Sequence, residues 1–115
     1  MVEINLFRNA EVQRELSAGA VVFEAGDPAE HFYGVLSGSV NIVRGYETIE
    51  TVEAGGIFGE VALLGQNSRS ASAVVAEDAV LAELDEAEFL RLVKLNPIFA
   101  ISVMRVMAER LQQSS

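Results

Sequence analysis

Apolar and polar positions along this chain follow two rhythms, and the change comes at Asp85. Before it, the apolar runs are short and rich in β-branched and aromatic residues: 20–24, 32–36, 40–43, 46–52, 71–76 and 79–84. Such runs favour strands. In the last of them Val80, Ala82 and Leu84 alternate with Leu81 and Glu83. Turn residues punctuate the series: Ser17-Ala18-Gly19, Ala25-Gly26-Asp27-Pro28, Ser37-Gly38-Ser39, Arg44-Gly45 and Glu77-Asp78. Ser37-Gly38-Ser39 and Glu77-Asp78 each predict a hairpin between two strands. Residues 11–16 predict an opening strand, and Ile4, Leu6 and Phe7 a short helical turn ahead of it. Short strands at steady spacing imply a sandwich or a jelly-roll barrel.

After Asp85 the period lengthens. D-E-A-E reads as a capping box, with Asp85 as N-cap and Glu88 three residues on. A helix over 86–95 follows, with Phe89, Leu90, Leu92 and Val93 on its apolar face. Asn96-Pro97 opens a second helix over 97–112, the Asn capping and the Pro in the first helical position. There Ile98, Ile101, Met104, Ala108 and Leu111 form a stripe that Phe99, Val103, Val106 and Met107 widen. Arg105 and Arg110 fall in later turns, where cations suit the helix dipole. A stripe this wide either packs on its own barrel or takes a partner.

The stretch 55–72, G-G-I-F-G-E-V-A-L-L-G-Q-N-S-R-S-A-S, fits neither rhythm. Its glycines allow tight turns and close approach of another molecule. The apolar run 61–64 is long enough for one helical turn. Glu60 and Arg69 are its only charges, set among small residues. A helix start near Gly59 would aim N–H groups at an anion, and Arg69 would add a donor fork that fits a phosphate. The plainer alternative is a set of connecting turns in which Glu60 and Arg69 form an ordinary surface pair.

Composition narrows the field. At 115 residues, half of them hydrophobic, the chain suits one domain spanning 1–115, with the roll over about 11–84. It has no cysteine and a single histidine, His31, which reads as a solvated side chain. That removes thiol chemistry and disulfides and leaves no histidine-rich metal site, so no catalytic or metal residues are assigned. The net charge of −9 disfavours nucleic acid and anionic membrane surfaces as partners of this chain. No run is long enough to span a membrane and no signal segment is visible, which makes the cytoplasm the expected compartment.

Taken whole, F-G-E-V-A-L-L followed by S-R-S-A-S resembles the phosphate-binding cassette of the cyclic nucleotide-binding domain family. Catabolite activator protein, protein kinase A regulatory subunits and cyclic-nucleotide-gated channels are members of that family. Phe58-Gly59-Glu60 and Arg69-Ser70-Ala71 carry the match. A-G-D-P-A-E-H-F-Y-G-V-L-S-G-S-V at 25–40 looks like the family's first glycine turn and hairpin. The resemblance implies an eight-stranded β jelly roll, with the cassette inserted and helices following. It implies a regulatory module that binds cyclic AMP or cyclic GMP and is not an enzyme. Arg69 would meet the phosphate and Glu60 the ribose 2′-hydroxyl. Gly59, Glu60 and Val61 would add backbone groups, and Ser70 a phosphate or base contact. Ser72 would be a further contact if the next strand leaves it open. No cofactor beyond the ligand is implied. The helices would carry the signal, pairing with a second copy or an effector. The helix-turn-helix that follows the long helix in the family's transcription factors is not found within these residues, so DNA binding is not expected of this chain. The competing reading is a jelly roll that binds no ligand and acts only through protein partners.

Overall fold

The computed structural model describes residues 7–65 and 68–114. Strands β1 (Val12–Leu16), β2 (Val21–Phe23), β3 (Phe32–Arg44), β4 (Glu47–Glu53) and β5 (Ile57–Phe58) lead into a short 3-10 helix, Glu60–Leu64. Then come β6 (Ser72–Leu84) and helices α1 (Glu86–Leu95) and α2 (Ile98–Ser114). Ile4 and Leu6 of the expected opening turn lie outside the described residues. The mainly β roll with two following helices is the architecture that forms. The strands pair in the order β1-β6-β3-β4, with β2 also on β6 and β5 on β3.

The two hairpins expected at Ser37-Gly38-Ser39 and Glu77-Asp78 do not form. β3 and β6 each run unbroken for 13 residues, antiparallel to one another from Phe32 opposite Leu84 to Val43 opposite Ser72. Their register slips between Val35 and Val40. The turn-like residues build that irregularity instead. Gly38 has φ +80°, and a Cβ there would come within 2.2 Å of the Asp78 carbonyl oxygen. The Ser39 hydroxyl donates to Glu77 at 2.8 Å, while the Asp78 carboxylate accepts from the Ala18 amide at 2.8 Å. A bulge bends a strand without ending it. This is why six continuous strands stand among the described residues where the resemblance counts eight.

Alternation divides the buried side chains between two clusters, because successive strand residues face opposite sides. Tyr33, Val35, Val40, Val52, Phe58 and Leu81 fill the roll. Their chain neighbours Phe32, Ile57 and Ala82 join Phe7, Leu92, Phe99 and Val103 under the helices. The rings of Phe7 and Phe99 meet edge to face at 5.6 Å.

Asp85 caps α1, its carboxylate accepting from the Glu88 amide at 2.8 Å. The capping box is only half closed. The Glu88 carboxylate turns away from it, accepting from the Glu11 amide at 2.8 Å and from Arg91. Asn96 caps α2 through the Ile98 amide at 3.2 Å. On α2 the wide stripe divides. Phe99 and Val103 are buried, with Val106 and Met107 packed partly against them. Ile98, Ile101, Met104 and Leu111 stand exposed. No helix among the described residues is long and apolar enough to cross a membrane.

Candidate functional site

A cleft of about 400 Å³ opens between the β3–β4 hairpin, the loop from Phe58 to Val61, the segment Arg69–Ser70–Ala71 and α2. Gly59 sits at its base with φ +76° and opens the 3-10 helix without any side-chain cap. A Cβ on Gly59 would lie 3.0 Å from the Arg69 guanidinium and 3.4 Å from the Phe23 ring, so only glycine lets the chain pass here unstrained. The first amides of the short helix have no intrahelical acceptor, as at any helix start.

Arg69 is only 5 % exposed. Its Nη1 donates to the Gly59 carbonyl at 2.8 Å and its Nη2 to the His31 carbonyl. The guanidinium carbon lies 4.0 Å from the centre of the Phe23 ring, a cation–π contact. Nε is buried and has no hydrogen-bond partner among the described residues. Burial pulls the pKa of Arg69 down, against the neighbouring charges of Tyr33 and Asp27. An arginine starts so high that it stays charged. The backbone fixes the residue as firmly as the side chain does. The Arg69 amide donates to the Asp27 carbonyl, and the Gly26 amide donates to the Arg69 carbonyl, both at 2.8 Å. The turn at Gly26-Asp27-Pro28 is therefore the clamp that sets Arg69.

Glu60, 8 % exposed, does not pair with Arg69. Its Oε1 accepts from Nη1 of Arg110 on α2. The same guanidinium holds Glu50 of β4 with two bonds, Nε to Oε1 at 3.2 Å and Nη2 to Oε2 at 3.0 Å. Nη2 also donates to the Ile57 carbonyl at 2.5 Å. An ordinary surface pair of Glu60 with Arg69 is thus not what the chain builds; each has its own partners.

Of the residues singled out from sequence, Gly59, Glu60, Val61, Arg69 and Ser70 line this cleft. Ser72 is not among the lining residues, and its hydroxyl accepts from the Ala25 amide at 3.0 Å. His31 points elsewhere, its Nε2 3.8 Å from Glu83. Sequence reasoning missed Phe23, Arg44, Glu50 and Arg110. For Arg110 a signal was present. It follows Phe99, Val103 and Val106 at steps of four, three and four, on the buried row of α2 rather than the exposed one. An arginine on a buried row needs acids opposite it. The helix-dipole reading accounted for its turn and not for its face.

The model of the cyclic nucleotide-binding domain matches residues 13–96. The chain belongs to the cyclic nucleotide-binding domain family. The cyclic AMP receptor protein of Thermus thermophilus is 32 % identical over 117 residues, covering 97 % of this chain and 54 % of that protein. A cAMP-dependent protein kinase regulatory subunit of Mucor circinelloides is 36 % identical over 77 residues, covering 67 % of this chain and 18 % of the subunit. The chain thus spans about half the length of the first relative and under a fifth of the second. Among solved structures, Thermus thermophilus catabolite activator protein superposes with a TM-score of 0.82 at 31 % identity, over 96 % of this chain and 54 % of that one. A structure reported under the heading "A cyclic-GMP-dependent signalling pathway regulates bacterial phytopathogenesis" has the same TM-score at 29 % identity, covering 96 % of this chain and 92 % of its own. In this cyclic nucleotide-binding domain the matched span ends just before α2, so Arg110 lies beyond it.

Proposed function

We propose that the chain is a cytoplasmic regulatory module that binds cyclic AMP or cyclic GMP and passes the bound state to its helices. The observation that carries this reading is Arg69: a buried guanidinium, two of its nitrogens committed to carbonyls and its Nε without a partner, at a cleft it shares with Glu60. The phosphate of a cyclic nucleotide supplies the missing acceptor, with the amides that open the 3-10 helix as further donors. Glu60 keeps acceptor capacity on its second carboxylate oxygen for a ribose hydroxyl. Ile42, Ile49 and Val61 offer the base an apolar wall, and Ser70 a hydroxyl near it. Micromolar affinity requires about 8 kcal/mol. A charge-assisted hydrogen bond contributes about 1.5–3 kcal/mol of that, and amide bonds and base burial supply the rest.

The module performs no reaction of its own in this reading; its output is mechanical. The exposed row Ile98, Ile101, Met104 and Leu111 suits a second copy or an effector protein. Calorimetric titration with cyclic AMP and cyclic GMP tests the proposal, with 5′-AMP as the comparison. Micromolar or tighter binding of one cyclic nucleotide, and weaker binding of 5′-AMP, is expected. Absence of binding by both cyclic nucleotides overturns it.

A further inference from the structure

One charged side chain at the cleft has no part in the ligand contacts proposed above. Of the charged residues that line it, Arg69 bonds to carbonyls, and Glu50, Glu60 and Arg110 hold one another. Arg44 lines the same cleft and is exposed. Glu47 stands directly opposite it across the β3–β4 hairpin, yet no ion pair joins Arg44 to any carboxylate among the described residues.

The hairpin gives Arg44 its neighbours. Arg44 ends β3, and Ile42, two residues earlier, shares its face of the strand. Opposite them the ladder carries a bulge: Ile42 pairs with Glu50 and Val43 with Thr48, which leaves Ile49 as the extra residue. Neighbours on a regular strand face opposite sides, but Ile49 and Glu50 both line the cleft. The bulge is what turns Ile49 inward. Strands β3 and β4 thus end in a rim of two isoleucines and an arginine. With the phosphate at Arg69 and the ribose at Glu60, the base is the part of a cyclic nucleotide left for this rim. The isoleucines suit the face of a base, and the arginine suits its edge. An arginine offers only donors, in a planar fork. The N7 and O6 edge of guanine presents two adjacent acceptors, whereas the same edge of adenine presents one acceptor and an amino donor. An adenine amino group would need the rim's acid, Glu50, and both oxygens of Glu50 are engaged by Arg110.

We infer that Arg44 reads the edge of the base, and that the cleft takes a 6-oxopurine cyclic nucleotide, cyclic GMP in preference to cyclic AMP. This rests on the cyclic-nucleotide reading of the cleft and goes further, naming the base and giving a task to a residue outside the phosphate cassette.

The test separates base reading from simple attraction of an anion. Affinities of the wild type, Arg44→Ala and Arg44→Lys are measured by calorimetry for cyclic GMP, cyclic AMP and cyclic IMP. Cyclic IMP keeps the O6 and N7 of guanine and lacks its 2-amino group, so it isolates the edge in question. The wild type is expected to bind cyclic GMP and cyclic IMP about tenfold or more tighter than cyclic AMP, the discrimination of a two-bond base contact. Arg44→Ala should weaken the two 6-oxopurine ligands by about that factor and cyclic AMP much less, so that the ratio falls toward one. Arg44→Lys keeps the charge but loses the fork, and an intermediate ratio is expected. Charge alone would favour all three anions alike, so the ratio is the readout. A wild-type preference for cyclic AMP, a preference for cyclic GMP that cyclic IMP does not share, or a ratio unchanged in Arg44→Ala overturns the inference while leaving the cyclic-nucleotide reading standing. If the wild type binds none of the three, both fall. Should Arg44→Ala fail to fold, the Arg44→Lys ratio decides, since an unchanged ratio there means the fork does not read the base.

Discussion

Arg69 and Arg110 face the same cleft and are held in opposite ways. Arg69 is buried against an aromatic ring, bonds only to carbonyl oxygens, and is clamped at both main-chain groups by the Gly26-Asp27 turn. No carboxylate among the described residues forms an ion pair with it, and Asp27 acts on it only at a distance. Arg110 is less buried, sits on a helix, and is neutralised by two carboxylates. The first arrangement is rigid and still lacks a negative partner, which suits a residue waiting for an anion. The second already has its charges balanced, and its position changes whenever the helix moves. On the cyclic-nucleotide reading proposed above, the phosphate half of the cleft is built before ligand arrives, while the ribose half depends on where α2 lies.

Removing Arg69 should give the largest change. Arg69→Ala is expected to cost about 1.5–3 kcal/mol of cyclic-nucleotide binding, measured by calorimetry. It should also lower the melting temperature, because the Gly59 and His31 carbonyls lose their donor inside the protein. An affinity equal to that of the wild type would remove the phosphate from this position. Glu60→Gln should cost less than Arg69→Ala in the same titration. An amide oxygen still accepts a hydroxyl, but it binds Arg110 less strongly than a carboxylate does. A loss equal to or above that of Arg69→Ala would mean that Glu60 mainly holds the loop and α2 together.

The same contrast explains what could be read from the chain. The cassette was legible because its chemistry is local: Gly59, Glu60 and Arg69 lie within one short stretch, and the backbone geometry that glycine permits is written in the residue itself. Asp85 and Asn96 were legible for the same reason, since a cap acts on amides two or three residues away. The Arg110 bridge was hidden because Glu50, Glu60 and Arg110 come from three separate segments, and no local preference marks them as partners. Ser37-Gly38-Ser39 misled for the converse reason. A turn-forming tripeptide is also what a bulge needs, and only the long β3–β6 pairing decides between the two. Tertiary pairing overrides local turn signals wherever a strand has a continuous partner.

The difference between the two halves should appear next in hydrogen exchange. With ligand bound, amides over 97–111 are expected to exchange more slowly, because a ligand that uses Glu60 favours the state in which Arg110 is docked on it. Amides of β3 and β6 should change little, since the roll is already closed. If the cassette gains protection and 97–111 does not, ligand binds without reporting to α2, and the output lies elsewhere.

The smallest effect is expected at a third arginine, which serves as a control for the other two. Arg91 on α1 donates to Glu88 from Nε at 2.6 Å and to the Asn9 carbonyl at 2.5 Å, clasping α1 to the chain ahead of β1. Its carboxylate partner Glu88 is on its own helix, and both lie away from the cleft. The hydrogen bond from Arg91 holds the Glu88 carboxyl below its ordinary range, with burial opposing and the Glu11 amide assisting. A carboxylate whose folded-state pKa is depressed stabilises the fold above its unfolded value and loses that contribution as pH falls through the folded one. Wild type should therefore lose slightly more stability between neutral pH and the acid range than Glu88→Gln, followed by thermal melts at both ends. Arg91 is open to solvent, which screens the pair, so the difference should be small. Affinity for cyclic nucleotide at neutral pH should not differ between the two proteins. If Glu88→Gln weakens the ligand, then any loosening of the helices empties the cleft, and the contrast between Arg69 and Arg110 loses its force. If it leaves the ligand alone, the dependence on helix position belongs to the helix arginine that reaches Glu60.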